Sequence, residues 1–599
     1  MKQHVEEPAN RPWVQNGAVL SVKILVVTRH FGCLRNYEQA LVELANRGHS
    51  LHLAAVHDDE VGGEALASRL VFESKGQITK GRTPTGPHEP LLHFATKLRL
   101  ARDYLRYLNP VYLKTPKLRE RAKERTPRGF LAILRIPWFC HEYGHHLLEG
   151  VLNICEQALE RPKKVMSFLR EQEPDIVVLT PLIGLGSSEL EYFLGAQALG
   201  LRTIFSVWSW DNLSSKAILR AQPDTVTVWN EVQRREAVEL HGVPTDRVVI
   251  TGSQCFDRWF EQSPNRDRIK FCEYIRLPST RPYILYVCSA PFIGSPSEAK
   301  FVQTWLKHVR SEPKLHDIGI LIRPHPSRLK EWADITFDRL GPVVLWGENP
   351  INTEARADYF DSMFHAAVVV GLNTSAMIEA AVVAKPVLTV LHSDFSDSQE
   401  GTLHFSYLLD ESDGLLWATR NWNDHVSQLA DAVVNPEMFS GRSIDFVGRF
   451  VRPRGLKESA TSKWVLAVEQ TGSKEPIVVK RSLVVWALGY VMVTLMRSLL
   501  RIPILGLLLQ DPIEVDEEEQ RRIRIRTKRQ NKRKLQIAAR QARITYEQNQ
   551  INIRRSSIAS KRDIRRAKHF EKFRRGLKKK YHVVCIIAER AWLRLKNIV

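Results

Sequence analysis

Three polar segments of this sequence combine residue types that could bind an anion or move a proton. The first, Arg323-Pro324-His325-Pro326, directly follows an apolar run at residues 319–322. Side chains at the carboxyl end of a strand in an α/β lobe lie where ligands bind, and a guanidinium and an imidazole can both contact phosphate oxygens. The alternative interpretation is a turn made rigid by its prolines, with an exposed histidine.

The second segment, GLNTSAMIE at residues 371–379, follows an apolar run and opens a helix. Asn373 or Thr374 can cap this helix, whose free N–H groups and positive dipole end suit a phosphate. Glu379 shares a helix face with Ser375, and a carboxylate one turn into such a helix can hold a ribose hydroxyl pair. An ordinary capped helix with an i,i+4 pair is the alternative.

The third segment, WSWDNLSSK at residues 208–216, is unusually polar and aromatic for a connection after a strand. The ring of Trp210 could stack on a sugar or a base, and Asp211 is a candidate proton acceptor. Asn212 and Lys216 add further polar groups. A structural turn that caps the next helix is the alternative.

The elements that must position these segments alternate between short apolar strands and helices. One alternating run covers residues 21–264 and is interrupted at about 82–129 by a stretch rich in Lys, Arg, Pro, Leu and Tyr, which predicts an inserted helical lid. A second run covers residues 265–470. Two such runs predict an α/β fold with two Rossmann-like lobes, each built on a parallel sheet, followed by a helical basic C-terminal extension.

The C-terminal part of the chain differs from both runs. Residues 477–510 contain an uncharged, largely apolar run at 482–496, shorter than the about 20 residues that a spanning helix needs. An in-plane membrane segment and a buried helix are both open interpretations. Residues 511–599 predict a basic helical tail, because 27 Lys and Arg stand against 4 Asp and Glu from residue 521 onward. The net charge of the whole chain is +21, so the rest is nearly neutral and only the tail suggests an anionic partner.

The cysteines and the N-terminus bear on the cellular compartment. Seven scattered cysteines form no CxxC pair, which predicts reduced thiols. The first 17 residues contain no apolar core of a secretory signal. The expected location is the cytoplasm, either free or peripheral on the inner face of the cell membrane.

Taken together, the motifs resemble a known superfamily. A βα unit with a glycine loop, then RPHP at 323–326, then NTSAMIEAAVVAKPVL at 373–388, looks like the GT-B superfamily. More narrowly, the chain is similar to the group of UDP-GlcNAc 2-epimerases, CDP-glycerol glycerophosphotransferases and surface-polysaccharide glycosyltransferases. These enzymes have a run similar to TVTVWNEVQRREAVELHGVPTDRVVITGSQCFDRW at 225–259, and the resemblance covers about residues 22–409.

The resemblance implies a role for each segment in a cleft between the lobes. The donor would bind the second lobe, its phosphates and ribose contacting Arg323, His325, Asn373, Thr374, Ser375 and Glu379. The acceptor side would be lined by first-lobe residues, namely His30, Gly32, Arg35, Asn36, Trp210, Asn212 and Lys216. Either Asp211 or His30 would take the proton of the acceptor.

The chemistry implied is transfer of a sugar or related group from a nucleotide-activated donor, in surface polysaccharide or glycolipid synthesis. No metal or cofactor is expected, because a helix dipole and cationic groups can neutralise a leaving diphosphate and no His/Cys cluster has ligand spacing. The expected partners are a nucleotide-diphosphate donor, a glycan or lipid-linked acceptor, and an anionic membrane surface that binds the C-terminal region.

Two other classes of function stay open. One is an epimerase-like or CDP-glycerol glycerophosphotransferase-like enzyme of the same fold, or a hydrolase that uses no acceptor. The other is a non-catalytic protein that binds nucleic acid or membrane. Nucleic acid is the less favoured partner, because the tail has no zinc knuckle, RNP-like motif or interleaved aromatic residues.

Overall fold

The computed structural model describes residues 14–15, 18–19, 21–58, 62–84, 90–187, 189–292, 295–338, 340–409, 413–476, 482–500, 568–580, 582 and 590. By contacts the chain forms two compact units, residues 1–510 and residues 511–599. Both predicted lobes belong to the first unit.

Strands and helices alternate through most of the first unit. The strands are β1 (Val14–Gln15), β2 (Ala18–Val19), β3 (Lys23–Thr28), β4 (Ser50–Ala55), β5 (Ile78–Arg82), β6 (Ile176–Thr180), β7 (Arg202–Ser206), β8 (Thr225–Val228), β9 (Val248–Ile250), β10 (Tyr283–Val287), β11 (Gly319–Arg323), β12 (Val343–Leu345), β13 (Val368–Gly371), β14 (Val387–Val390) and β15 (Trp417–Thr419). The helices are α1 (Glu38–Asn46), α2 (Gly63–Glu73), α3 (Pro90–Arg106), α4 (Pro116–Glu124), α5 (Arg128–Ile133), α6 (Glu142–Ala158), α7 (Lys163–Gln172), α8 (Leu190–Ala198), α9 (Asn212–Ser215), α10 (Glu231–His241), α11 (Asp257–Glu261), α12 (Arg268–Tyr274), α13 (Glu298–Ser311), α14 (Thr353–Phe364), α15 (Ala376–Val382), α16 (Leu403–Leu409), α17 (Trp422–Val434), α18 (Pro436–Phe450), α19 (Ala460–Gly472) and α20 (Leu483–Leu500).

A seven-stranded parallel sheet forms the centre of the first lobe, in the order β5-β4-β3-β6-β7-β8-β9. Every residue of β6 (IVVLT) is buried, because helices cover both faces of such a sheet. The last residues of β3 and β6, Thr28 and Thr180, pair with each other. The segments that follow these strands therefore leave the sheet at the same edge.

A six-stranded parallel sheet forms the centre of the second lobe, in the order β12-β11-β10-β13-β14-β15. Alternate residues of β10 enter apolar clusters on its two faces, with Tyr286 in one and Leu285 in the other. Val287, at the end of β10, pairs with Arg323 of β11 on one side and with Gly371 of β13 on the other. The two parallel sheets confirm the predicted α/β fold with two Rossmann-like lobes.

The chain divides between the lobes differently from the predicted boundary at residue 470. After α18 it crosses back, and α19 packs in the core of the first lobe. Trp464 of α19 is 1% exposed, and its indole Nε1 donates to Ser206 Oγ at 2.7 Å. Thr471, also on α19, donates to Thr225 Oγ1 at 2.8 Å. The helical periodicity of α19 does not reveal which sheet it covers, so sequence alone assigns it to the nearer lobe.

We expect Trp464→Ala to lower the free energy of unfolding of the first lobe by about 3–5 kcal/mol, the range for truncating a buried aromatic side chain. Leu466 lies on the same helix but is 44% exposed, so Leu466→Ala is a matched control with an expected change of about 1 kcal/mol or less. Urea unfolding followed by fluorescence and circular dichroism measures both. Similar effects of the two substitutions would contradict the packing of α19 in this core.

The helical insert is longer than the predicted range 82–129. It extends from α3 through α6, since residues of α3 and α6 share one apolar cluster. Arg99 of the insert contacts Glu156 of α6 at 2.8 Å, and a second buried ion pair, with Glu191 of α8 at 2.5 Å, joins the insert to the lobe. Arg106 donates to the backbone oxygens of Lys216 and Ala217 at 2.7 and 2.9 Å. The insert is therefore anchored on the segment that follows β7.

The apolar helix α20 is partly packed and partly exposed. A Cβ on Gly489 would lie 2.5 Å from the carbonyl oxygen of Ile154, so α20 lies directly against α6. Val493 is buried in the cluster of the insert, whereas Val484 and Leu495 are 77% and 59% exposed. Among the described residues, no helix is both long and apolar enough to cross a membrane. Of the predicted tail, residues 568–580 are described, and they are helical; most of the range 511–599 lies outside the described residues.

Candidate functional site

Arg323 is the last residue of β11, at the carboxyl end of the second sheet. Two aromatic rings and a backbone carbonyl group hold its side chain in place. Its guanidinium lies 4.8 Å from the ring centre of Tyr359 and 5.3 Å from that of Trp346. Gly347 has a φ of +120°, and a Cβ there would lie 2.4 Å from the guanidinium carbon, so only glycine leaves this space. Arg323 is 6% exposed; Nη2 donates to the Glu348 carbonyl oxygen at 3.0 Å, while the buried Nη1 has no partner among the described residues.

His325 is half-buried two residues beyond the end of β11. Its Nδ1 accepts from the backbone N–H of Ser327 at 3.2 Å and lies 2.6 Å from the Ser327 hydroxyl. Burial lowers the pKa of His325, and the nearby charges of Arg328 and Arg35 lower it further. Since Nδ1 is engaged, Nε2 is the ring nitrogen available to a ligand.

Glu379 lies on α15, the helix that follows strand β13. Its Oε2 accepts from the Tyr359 hydroxyl at 2.5 Å. Burial raises the pKa of Glu379, while the Tyr359 hydrogen bond and the charges of Arg258, Arg35 and Arg323 oppose the increase. The carboxylate is therefore surrounded by guanidinium groups from several segments.

Arg35 and Arg258 bring charge to this cleft from outside the second sheet. Arg35 belongs to the 3-10 helix Phe31–Asn36 of the first lobe, and its guanidinium lies 5.6 Å from the ring centre of Trp208. Arg258 lies on α11, a short helix that follows β9 of the first lobe. Neither guanidinium has an ion pair or a hydrogen bond to another described residue. The charges of Arg35, Arg258 and Arg323 thus act on one carboxylate, and His325 interacts with the charge of Arg35. Such a group of guanidiniums is suited to a phosphate-bearing ligand.

Residues 373–375, which were predicted to contact the donor, follow β13 at the same end of the sheet. Several of their polar groups already form hydrogen bonds within the protein. The side chain of Asn373 donates to the Ser398 carbonyl oxygen, and its backbone N–H donates to Ser289 Oγ at 3.2 Å. Thr374 Oγ1 accepts from the Ala376 N–H at 3.4 Å, a long capping bond. Helix α15 begins at Ala376, and its N-cap, the exposed Ser375, makes no side-chain cap. Ser375 is the side chain of this trio most open to a ligand.

The segment 208–216 is more structural than its polarity suggests. Trp210 and Asn212 are 6% and 2% exposed, and Asn212 Oδ1 accepts from the Trp208 N–H at 3.0 Å. Asp211 lies 2.9 Å from the Lys216 ammonium. Burial raises the pKa of Asp211, but Lys216, His404 and the Ser209 hydroxyl outweigh burial, and the net pKa lies below the ordinary value for aspartate. An aspartate held in its ionised form is a weak proton acceptor.

Four of the residues predicted on the acceptor side, His30, Gly32, Arg35 and Asn36, follow β3. His30 is half-buried at the N-cap of the 3-10 helix, with Nε2 3.7 Å from Cys33 Sγ. Gly32 lies within that helix, and Asn36 Nδ2 donates to the Trp208 carbonyl oxygen at 2.8 Å. Asn36 therefore ties the segment after β3 to the segment after β7, and it positions Arg35 at the cleft.

Sequence reasoning overlooked Arg258 and Tyr359. Arg258 falls within the run 225–259, but nothing in its immediate neighbours marks it as a ligand-binding residue. Tyr359 lies in the middle of α14, where an aromatic residue is typical of core packing. Only the fold shows that the charge of Arg258 acts on Glu379 and that the Tyr359 hydroxyl donates to the Glu379 carboxylate.

In the part of the chain that the structure describes, no group of three His, Cys, Asp or Glu residues is arranged to hold a metal ion.

No protein-family model matches the sequence, and no curated protein matches it. Three solved structures have a similar fold at low identity. A glycosyltransferase from Rickettsia africae ESF-5 is 11% identical, with 76% of this chain and 99% of that one covered and a TM-score of 0.44. UDP-GlcNAc 2-epimerase from Neisseria meningitidis, bound to UDP-GlcNAc, is 11% identical, with coverage of 75% and 100% and a TM-score of 0.41. UDP-GlcNAc 2-epimerase from Methanocaldococcus jannaschii is 10% identical, with coverage of 75% and 99% and a TM-score of 0.40.

Proposed function

We propose that the chain is a glycosyltransferase-like enzyme that transfers a sugar or related group from a nucleotide-diphosphate donor bound between its lobes. The observation that carries this proposal is the cluster of Arg35, Arg258 and Arg323, whose charges act on Glu379, together with His325, which interacts with the charge of Arg35. Arg35 comes from the first lobe and Arg323 from the second, so a single anionic ligand can contact both lobes.

Each group has a chemical role in this proposal. The guanidiniums and the Nε2–H of His325 neutralise the charge that develops on the diphosphate as its bond to the sugar breaks. Glu379, held by the Tyr359 hydroxyl, accepts hydrogen bonds from the ribose hydroxyls. His30 is assigned as the proton acceptor in preference to Asp211, whose carboxylate is already paired with Lys216. The positive side chains substitute for a metal ion, so turnover should persist in excess EDTA.

The experiment that tests the activity is a screen of nucleoside diphosphates by thermal shift, followed by turnover of the matching nucleotide sugar. A ligand at 100 times its dissociation constant adds about 2.7 kcal/mol to stability, which is readily measured. Donor consumption that requires a glycan or lipid-linked acceptor indicates a transferase. Donor turnover without any acceptor would indicate an epimerase or a hydrolase.

Replacement of Glu379 by alanine should weaken nucleotide binding by about 1–3 kcal/mol, the range for hydrogen bonds to a charged group. Calorimetry with the best diphosphate from the screen measures the change. Glu437→Ala, at an exposed position of α18, is the control and should leave affinity unchanged. Equal affinity of the two variants would remove Glu379 from the binding site.

An anionic membrane surface is the second partner that we propose. On α20, Trp486 and Tyr490 stack at 5.5 Å, and both rings are partly exposed; Val484 and Leu495 are exposed on another side of the helix. In the tail, residues 568–580 form a basic helix in which Phe570, Phe573 and Leu577 are 72%, 67% and 50% exposed at i, i+3 and i+7. An apolar stripe on a basic helix, and tryptophan and tyrosine on an apolar helix, are typical of segments that lie in a lipid interface. This partner places the enzyme on the cytoplasmic face of the membrane.

A further inference from the structure

A second cluster of arginines borders a cavity of about 280 Å³ where the first lobe, α11 and α14 meet. The lining residues are Arg69, Arg258, Trp259, Gln262, Thr353, Arg356, Ala357 and Tyr359. Arg69 comes from α2 of the first lobe, and Arg356 comes from α14 of the second. The lobes touch close by, since a Cβ on Gly62 would lie 2.8 Å from Ile351 Cγ2. The cavity therefore bridges the two lobes.

The charges around this cavity do not balance. Arg69 and Arg356 share one carboxylate, Glu38, at 2.5 and 3.3 Å. Arg258, the third guanidinium, has no ion pair or hydrogen bond to any described residue. Burial lowers the pKa of Arg356; Glu38 favours its charged form, while Arg258 and Arg69 disfavour it. Since Arg258 also interacts with the charge of Glu379, three guanidiniums meet two carboxylates, and an anion would neutralise the excess positive charge.

We infer that this cavity is a second binding site for a phosphate-bearing anion, next to the proposed donor site, with which it shares Arg258 and Tyr359, and that its ligand holds the two lobes together. Phosphate suits the site, because guanidinium groups pair with its oxygens in a bidentate manner. The volume lies just below the range of about 300–1,000 Å³ for pockets that hold drug-sized ligands, so a phosphoryl or diphosphoryl group fits better than a whole nucleotide sugar. The inference goes beyond the proposed transfer reaction and does not depend on it.

Calorimetric titration of the full chain with inorganic phosphate, at constant ionic strength, tests this site. We expect Arg69→Gln combined with Arg356→Gln to weaken phosphate binding by about tenfold or more. Arg47→Gln is the matched control, because Arg47 is as exposed as Arg69 and also pairs with glutamates on the first lobe. Phosphate binding that is equal in the double variant and the wild type would overturn the inference.

A second variant keeps the test valid if the double variant does not fold. Arg69→Gln alone changes a side chain that is 41% exposed, so it should weaken phosphate binding several-fold with little change in the melting temperature of the phosphate-free protein. Unchanged affinity would contradict the inference. Titration of phosphate into protein saturated with a nucleoside diphosphate distinguishes the sources: retained binding supports a separate site, and complete displacement assigns the cavity to the phosphates of the nucleotide and overturns the inference. Failure of every nucleotide to bind would contradict the proposed transfer reaction but leave the phosphate titration interpretable.

Discussion

Exchange of Arg258 for glutamate is expected to weaken nucleoside diphosphate binding at least about 100-fold and to abolish turnover. Arg258 faces Glu379 without an ion pair of its own among the described residues, so its charge is available to the ligand. Loss of a hydrogen bond to a charged group raises the free energy of binding by about 1.5–3 kcal/mol, and the new carboxylate would add repulsion between like charges. Calorimetry with the diphosphate, in low and physiological salt, measures the loss.

A control of equal charge change separates local from general electrostatics. Arg281 precedes β10, at the opposite edge of the second sheet, where it lies 3.5 Å from Asp317 and is 56% exposed. Arg281→Glu should reduce affinity less than twofold at physiological salt, because charges beyond about 8 Å are largely screened. If the two variants lose affinity equally, the cluster around Glu379 is not where the diphosphate binds.

The strands and the two-lobe arrangement were predictable because their signal is local. Parallel strands that are buried on both faces read as apolar runs, as in β6 and β10, and the helices between them show their own periodicity. The return of α19 was not predictable, because its apolar face fits a helix on either sheet. Which sheet it covers depends on the length and path of the segment after α18, and this is a property of the folded chain.

The residues of the candidate site were predictable only where a strand end fixes their position. Arg323 and His325 follow β11, and Glu379 follows β13, so the parallel order of the sheet brings them together. Asn212 shows why a polar loop misleads: its side chain satisfies a backbone N–H of its own turn rather than a ligand. Arg258 was missed for the converse reason, because its proximity to Glu379 arises from contacts between elements far apart in sequence.

Replacement of the exposed apolar face of α20 by acidic residues is expected to reduce liposome association at least about tenfold. The variant Leu488→Asp, Val491→Asp, Leu495→Asp changes three side chains that are 48%, 54% and 59% exposed, so the fold should survive. Each such side chain contributes about 1.5–3 kcal/mol when fully buried in an apolar environment, and a fraction of that in an interface. Flotation of the full chain with vesicles that contain anionic lipid measures the change.

A matched variant and a change of lipid composition distinguish binding through α20 and the tail from nonspecific adsorption of exposed apolar side chains to vesicles. Phe72 is 86% exposed on α2 of the first lobe, and Phe72→Asp should leave flotation unchanged. Phe570→Glu combined with Phe573→Glu tests the tail helix separately, and its effect should grow with the fraction of anionic lipid, because basic residues near such a surface contribute about 1 kcal/mol each. Salt should weaken the contribution of the tail more than that of α20, since screening affects charge pairs and not apolar burial. Equal flotation of all variants, or binding that is independent of anionic lipid, would contradict the proposed membrane partner. A protein partner would then be the alternative for the exposed face of α20 and the basic tail.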